Sequence, residues 1–293
     1  MRSGKVRAYL RALRLHHWLK NLLLFVPLIF AYRLTEFHLI VNDCLAFVAF
    51  GLCASSVYLF NDIADLEADR QHDVKRLRPF ASGDLPVAFG LIAAPLLIAA
   101  ALAGAVLLSP AFAAALALYL VVTLAYSFGL KRLPLIDVFI ISMLFVLRIV
   151  MGTAVIALAY SPWLLTFSWA FFLSLALAKR HVEVVRADRA GDVVGRGYRG
   201  ADWPLTLAFG VGAGLTSIVI MLLYLANDAA PSGFYAKPGW LYAVPALMTV
   251  WLMRLWLLSH RMELDDDPVI FALRDPASLL LGLGVAVAFW LAL

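Results

Sequence analysis

Charge is what this sequence has least of. Asp, Glu, Lys and Arg make up 15% of its 293 residues, and hydrophobic residues make up 64%. Soluble globular domains carry about 25% charged and roughly 45–50% apolar residues. A chain so poor in polar surface excludes a single soluble core, intrinsic disorder, fibres and coiled coils. Cysteine is nearly absent too. Cys44 and Cys53 lie nine residues apart in one hydrophobic run, which on a helix sets them about 13 Å apart on opposite sides. That exceeds the ~7 Å Cα limit of a disulfide, so both read as apolar fillers and no thiolate metal site is expected. The six histidines show no metal-ligand spacing.

What is present is apolar length. At ~20 residues per crossing, the chain has room for about eight to ten membrane spans. Nine are expected, over 18–33, 40–60, 86–108, 111–128, 134–156, 162–178, 204–226, 239–258 and 277–293. Pro110, Pro134, Pro162, Pro204 and Pro276 fall at or near span starts, where proline is tolerated. Ser109-Pro110 leaves room only for a tight hairpin. No linker, composition shift or strong repeat divides the chain, so residues 1–293 read as one all-α, polytopic membrane domain. Gly210-x-x-x-Gly214 reads as a close helix contact.

The basic residues set the orientation. With the N-terminus inside, all but three of the 24 Lys and Arg residues fall in cytoplasmic segments, the exceptions being Arg33, Lys237 and the mid-span Arg148. The positive-inside rule then predicts an N-in, C-out, multi-pass protein of the cell inner (plasma) membrane. Net charge +5 would point to nucleic acid in a soluble protein; here it is sorted to one membrane face, and no nucleic acid partner is expected. Arg2, Lys5, Arg7, Arg11, Arg14 and Lys20 precede the apolar run 22–31, which resembles a signal peptide superficially. No small-residue cleavage site follows, and the basic arm reads as an amphipathic lead-in to a retained first helix.

The long, charged loops are all cytoplasmic, and one carries the motif with chemistry. It reads Asn61-Asp62-x-x-Asp65-x-x-x-Asp69-x-x-x-Asp73, then Lys75-Arg76-x-Arg78-Pro79. Spacings of three, four and four place the carboxylates of Asp62, Asp65, Asp69 and Asp73 on one helical stripe. Like charges so placed repel, so a cation is expected to offset them. Clustered carboxylates without Cys or His suit a hard divalent ion, and Mg²⁺ held this way shares its remaining positions with phosphate oxygens. The competing reading is a solvated polar face.

Asn61-Asp62-x-x-Asp65-x-x-x-Asp69 resembles the first aspartate-rich motif of the UbiA superfamily, and the resemblance extends over nearly the whole chain. It implies a nine-helix intramembrane enzyme that holds Mg²⁺–pyrophosphate, with Asp62, Asp65 and Asp69 as metal ligands and catalytic residues. Most of that superfamily transfers a prenyl group and carries a second acidic motif after the sixth helix. Here Lys179-Arg180-x-x-Glu183 stands in that place, and a basic cluster attracts anions. With Trp18-x-Lys20-Asn21, Tyr126-Ser127-x-x-Leu130-Lys131-Arg132 and Asp267-Pro268-x-x-Phe271-Ala272-x-x-Asp275, the chain is similar to the polyprenyl-phosphate (decaprenyl-phosphate-type) phosphoribosyltransferase branch. His16-His17 departs from it, where a proline and a basic residue are more usual.

That resemblance implies transfer of 5-phosphoribosyl from phosphoribosyl pyrophosphate to a polyprenyl phosphate at the cytoplasmic face. The residues it brings to the substrates are Lys20, Asn21, Asn61, Asp73, Lys75, Arg76, Arg78, Tyr126, Lys131, Asp137, Arg148, Lys179, Arg180 and Glu183. The acceptor is already anionic, so no general base is needed. Several of these residues also have plainer readings: Lys20 as a snorkelling lysine, Tyr126 as an interfacial aromatic, Arg148 as a carbonyl-bonded structural charge, and 265–267 as a solvated acidic loop. Two other functions stay open, prenyl transfer to an aromatic acceptor and organic-anion transport. A homo-oligomer is possible.

Overall fold

The computed structural model describes residues 2–71, 73–187, 191–193, 195–264 and 267–293, with side chains from Arg7 onward. Asp265, Asp266 and Arg189, read above as loop charges, therefore lie outside the described residues, as do the side chains of Arg2 and Lys5. Among the described residues all regular elements are helical, apart from one isolated bridge between Asp192 and Arg199.

Among the described residues seven helices are long and apolar enough to cross a membrane, or eight if one bent pair counts as a single span, against the nine expected. The chain opens with α1 (Arg2–Leu13), followed by a 3₁₀ helix over Leu15–Phe25 and the short α2 (Val26–Phe30). Here the expected first span takes an unexpected form. A 3₁₀ helix rises about 2.0 Å per residue against 1.5 Å in an α-helix, so this stretch extends roughly 30 Å with few residues. Then come α3 (Phe37–Ala64), the short α4 (Leu66–Arg70), α5 (Val87–Leu108) and α6 (Pro110–Phe128). The α5–α6 turn is the expected tight hairpin at Ser109-Pro110.

The second half runs through α7 (Ile136–Val155), α8 (Pro162–Arg186), α9 (Trp203–Tyr224) and α10 (Ala243–His260). It ends in α11 (Pro268–Arg274) and α12 (Pro276–Ala292), bent by 80° at their junction. Arg254 fixes that bend with a bidentate pair to Asp275, at 2.7 and 2.9 Å. Asp275 in turn caps α12 by accepting from the Ser278 amide at 2.7 Å. The expected straight span over 277–293 thus has a short, capped helix in front of it.

The chain divides into two compact units, Met1–Phe128 with Leu147–Tyr160, and Gly129–Val146 with Ser161–Leu293. In the first, α1 is seated by Ala8 and Ala12, which are buried against Leu59, Phe80, Leu85 and Ala94. The 3₁₀ helix is tied to α3 by Trp18 Nε1 donating to Ser55 Oγ at 3.0 Å, while Ser55 donates to the Leu13 carbonyl at 2.7 Å. Gly152 meets this helix so closely that a Cβ there would stand 2.0 Å from the Leu24 carbonyl oxygen. In the second unit, Gly210 and Gly214 lie where α8 and α9 touch. There Ser174 donates to the Gly210 carbonyl at 2.7 Å and accepts from Trp256 Nε1 at 3.1 Å.

Candidate active site

The acidic motif straddles a break between helices, not the continuous stripe its spacing predicts. α3 ends at Ala64, Asp65 forms its cap, and α4 starts again at Leu66. Asp62 and Asp69 are left facing inward, each 2% exposed, while Asp65 and Asp73 are exposed. Where a divalent ion was expected to offset this charge, two arginines lie against the carboxylates. Arg14 Nη2 donates to Asp62 Oδ1 at 2.6 Å. Arg78 Nη1 donates to Asp62 Oδ1 at 3.2 Å and to Asp69 Oδ2 at 2.6 Å. Arg14 also lies over the Tyr58 ring, 4.9 Å from its centroid.

Arg14 was read only as part of the basic arm; the structure brings it to the carboxylates from 48 residues away. Its backbone is left-handed, with φ 51° and ψ 46°. That conformation costs an L-residue roughly 1–2 kcal/mol. The chain turns here from α1 into the 3₁₀ helix, and the two contacts of the side chain hold the turn.

Two carboxylates converging on one guanidinium nitrogen test the fit of a metal. Arg78 Nη1 already marks a point within reach of both Asp62 and Asp69, and an all-oxygen donor pair suits Mg²⁺. Among the described residues, no group of three His, Cys, Asp or Glu side chains converges as a metal site. Two carboxylates, Asp62 and Asp69, are thus brought together here. Asp65, expected as the third, is turned outward by the helix break.

The other expected site residues of this unit are distributed around that pair. Asn61 is half-buried, and its carbonyl accepts from the Asp65 amide at 2.9 Å. Lys75 and Arg76 are exposed on a short 3₁₀ turn, where Arg76 Nε donates to the Asp73 carbonyl at 3.2 Å. Lys20 is half-buried. Asn21 is 1% exposed, and neither end of its amide has a hydrogen-bond partner. Such an orphaned amide is costly and marks a polar demand on the 3₁₀ helix. Tyr126 is half-buried in the last turn of α6. Arg148 is 8% exposed, 5.1 Å from the Phe50 centroid and 5.2 Å from that of Tyr119, whose hydroxyl accepts from its Nη2 at 3.4 Å.

In the second unit a different charge cluster forms. Asp137 is fully buried and accepts from the Tyr198 hydroxyl at 2.7 Å. Arg180, 2% exposed, sets Nη2 2.8 Å from Asp137 Oδ2, close enough for coulombic pairing though out of line for a hydrogen bond. Its Nη1 donates to Glu183. The same Tyr198 oxygen accepts from the Leu135 amide at 2.7 Å, holding Leu135 at a positive φ of 65°. Burial, seconded by its bond to Asp137, pushes the Tyr198 phenol above its ordinary value. Gly197 makes the approach possible, since a Cβ there would meet the Arg132 carbonyl oxygen at 2.4 Å. Arg196 donates to the Lys131 carbonyl at 3.3 Å. Lys179 stays half-exposed, with Nζ 4.0 Å from Asp267 Oδ2. Tyr198 had no signal in the sequence beyond being an aromatic residue in a polar loop.

An all-helical membrane fold with an Asn-Asp-x-x-Asp break above a basic cavity defines a class, and comparison with known proteins names it. The model of the UbiA prenyltransferase family matches residues 22–274. The chain belongs to that family. Its fold is that of the structure of a UbiA homolog from Archaeoglobus fulgidus bound to GPP and Mg²⁺, with a TM-score of 0.69 at 16% identity over 97% of this chain and 99% of that one. Among curated relatives, nodulation protein NoeC of Azorhizobium caulinodans is 33% identical over 95% of this chain and 91% of its own. Decaprenyl-phosphate phosphoribosyltransferase of Mycobacterium tuberculosis is 33% identical over 66% of this chain and 65% of its own. The chain spans 57% of the length of a Sinorhizobium fredii protein, y4nM, to which it is 49% identical.

Proposed function

We propose that the protein transfers the 5-phosphoribosyl group of phosphoribosyl pyrophosphate to a polyprenyl phosphate, with Mg²⁺, at the cytoplasmic face of the inner membrane. One observation carries this reading. Asp62 of the buried carboxylate pair faces a cavity whose other charged lining residues are basic, Arg7, Arg11, Arg14, Lys75 and Arg78. That charge set exceeds what a single metal-bound pyrophosphate requires and suits substrates bearing further phosphates. The likeness to decaprenyl-phosphate phosphoribosyltransferases supports it.

Asp62 and Asp69 would hold the metal, and Mg²⁺ there would supply Lewis-acid stabilisation of the departing pyrophosphate. Arg14 and Arg78, which now neutralise those carboxylates, then become available to phosphate oxygens. Lys75, Arg76 and Lys20 add charge at the membrane edge, with Asn61, Asn21, Asp73, Tyr126, Lys131 and Arg148 as further substrate contacts. An oxygen of the lipid phosphate forms the new bond at C1 of the ribose as the bond to pyrophosphate breaks, inverting C1. No side chain needs to take a proton, because the acceptor is already an anion.

Prenyl transfer to an aromatic acceptor would call for a second acidic cluster after α8. The residues in that place are Lys179, Arg180 and Glu183, and Glu183 is tied to Arg180. The test is to incubate the purified protein with labelled phosphoribosyl pyrophosphate, prenyl pyrophosphate and short polyprenyl phosphates. Pyrophosphate release that needs both phosphoribosyl pyrophosphate and lipid phosphate is the expected result. Consumption of prenyl pyrophosphate with no response to phosphoribosyl pyrophosphate would overturn the assignment.

A further inference from the structure

Helix α1 and the segment after α4 enclose an open cavity of about 570 Å³. Arg7, Arg11 and Arg14 line one side of it, and Lys75 and Arg78 the other, with Asp62 as the only carboxylate among the described lining residues. Asp62 is already paired with both Arg14 and Arg78, and the half-exposed Asp84 stands only 3.9 Å from Arg11 Nη1 as a loose, solvent-screened neighbour, so the charge left facing the cavity is positive.

The placement of the three arginines follows from the sequence. Positions 7 and 11 are one turn apart on α1, and Arg14 follows at the left-handed turn that ends the helix. Ala8 and Ala12, one residue further round, are 4% and 0% exposed against Leu59, Phe80, Leu85 and Ala94. A helix that merely lay in the membrane interface would turn its apolar face to lipid. This one turns that face to the protein, and its small residues bring the arginines up to the 74–79 segment. Arg11 closes the contact by donating Nη2 to the Leu77 carbonyl. The docking is thus specific, and it gathers fixed guanidinium groups around a hole.

We propose that this cavity is a phosphomonoester subsite in which Arg7 and Arg11 bind the terminal phosphate of a substrate, beside and separate from the Asp62–Asp69 pair. A phosphomonoester carries close to two negative charges at neutral pH, and planar guanidinium forks pair with it through two oxygens at once. This rests on the phosphoribosyl-transfer reading, which supplies two such groups: the 5-phosphate of the donor and the phosphate of the lipid. Their recognition chemistry is the same.

Calorimetry on the full-length protein in detergent separates the possibilities. The probes are ribose 5-phosphate, farnesyl phosphate and magnesium pyrophosphate, against wild type and the Arg7→Ala/Arg11→Ala double variant. The variant should bind one of the two monoesters roughly 10- to 100-fold more weakly, the size expected for lost charge-assisted bonds. Whichever it is identifies the source. Magnesium pyrophosphate should bind both proteins alike, within about twofold, and Arg11→Lys should recover only part of the monoester affinity because it restores charge without the fork. The proposal is overturned if wild type binds neither monoester, if the double variant binds both as wild type does, or if all three probes weaken together. Turnover of wild type tests the parent reading separately. Arginine-dependent monoester binding without phosphoribosyl transfer would sink that reading and leave the subsite standing; transfer with indifferent monoester binding would do the reverse.

Discussion

Two Asp–Arg clusters in this molecule use the same chemistry for opposite ends. In the first unit Arg14 and Arg78 are 19% and 27% exposed and line an open cavity with Asp62, while Arg78 also reaches the buried Asp69 behind it. In the second, Arg180 and Asp137 are 2% and 0% exposed and are closed over by Tyr198 and Glu183. Solvent access decides what each can do. A guanidinium at a cavity wall can leave a carboxylate for a phosphate while water covers the exchange. A buried one cannot leave without stranding a charge, a loss of about 3–5 kcal/mol. The first cluster is free to change partners and the second keeps its own, fixing the start of α7, the end of α8 and the segment around Tyr198.

The sharpest way to break this contrast is to neutralise one carboxylate in each cluster. Asp62→Asn and Asp69→Asn should lower turnover by about 10²- to 10³-fold, the scale for removing one preorganised charge partner, with the melting temperature nearly unchanged. Arg180→Ala should act the other way round, destabilising the protein by about 3–5 kcal/mol in thermal unfolding before any effect on chemistry can be read. Near-full turnover of Asp62→Asn at saturating Mg²⁺ would remove the metal role of the pair. An Arg180→Ala protein as stable as wild type would show that the second cluster is no lock.

How much of this was legible in the sequence depends on the range of the interaction. The spans expected at 86–108 and 111–128 fall within a residue of Val87–Leu108 and Pro110–Phe128, because long apolar runs that start at a proline define themselves locally, even with Pro95 inside the first. Hydropathy cannot distinguish a 3₁₀ from an α-helix, so the span expected over 18–33 gave no sign that Leu15–Phe25 is 3₁₀. It also cannot see the 80° bend before α12, which a side chain 21 residues away holds in place. The aspartate spacing singled out Asp62 and Asp69, which the structure buries around Arg78, yet it carried the stripe through Asp65, where the helix stops. Arg78 came through resemblance. Arg14 was missed because its partner lies on another helix, although its spacing from Arg7 and Arg11 was there to be read.

A finer test of the lock is Tyr198→Phe, which keeps the ring and removes one hydroxyl. Asp137 loses its donor and the Leu135 amide its acceptor, a cost of about 1–3 kcal/mol. The pH dependence has a definite sign. Burial and the bond to Asp137 raise the phenol above its usual value of about 10. The contribution of the hydroxyl is therefore fully present below that value and is lost as pH rises through the native value. Thermal unfolding of the two proteins should differ at neutral pH, and the gap should narrow as pH climbs past about 10. A gap that widens there would mean that the folded protein stabilises the phenolate.

Lys179 tests the boundary between the two behaviours with the smallest effect. It stands next to the locked Arg180 but is itself 49% exposed, and its contact with Asp267 is a loose 4.0 Å. An exposed pair of that kind contributes roughly 0–1 kcal/mol to stability, so Lys179→Ala should melt with wild type. If the lysine binds phosphate, its removal costs one charge-assisted hydrogen bond, and KM for phosphoribosyl pyrophosphate or the lipid phosphate should rise about tenfold at unchanged Mg²⁺ dependence. Lys179→Asp should be worse than alanine, because it adds repulsion to lost attraction. Under aromatic prenyl transfer the order reverses: an acidic residue here would recruit metal and help prenyl pyrophosphate to bind. Titrating both donors against both variants reads the order directly, and tighter prenyl pyrophosphate binding by Lys179→Asp would count against phosphoribosyl transfer.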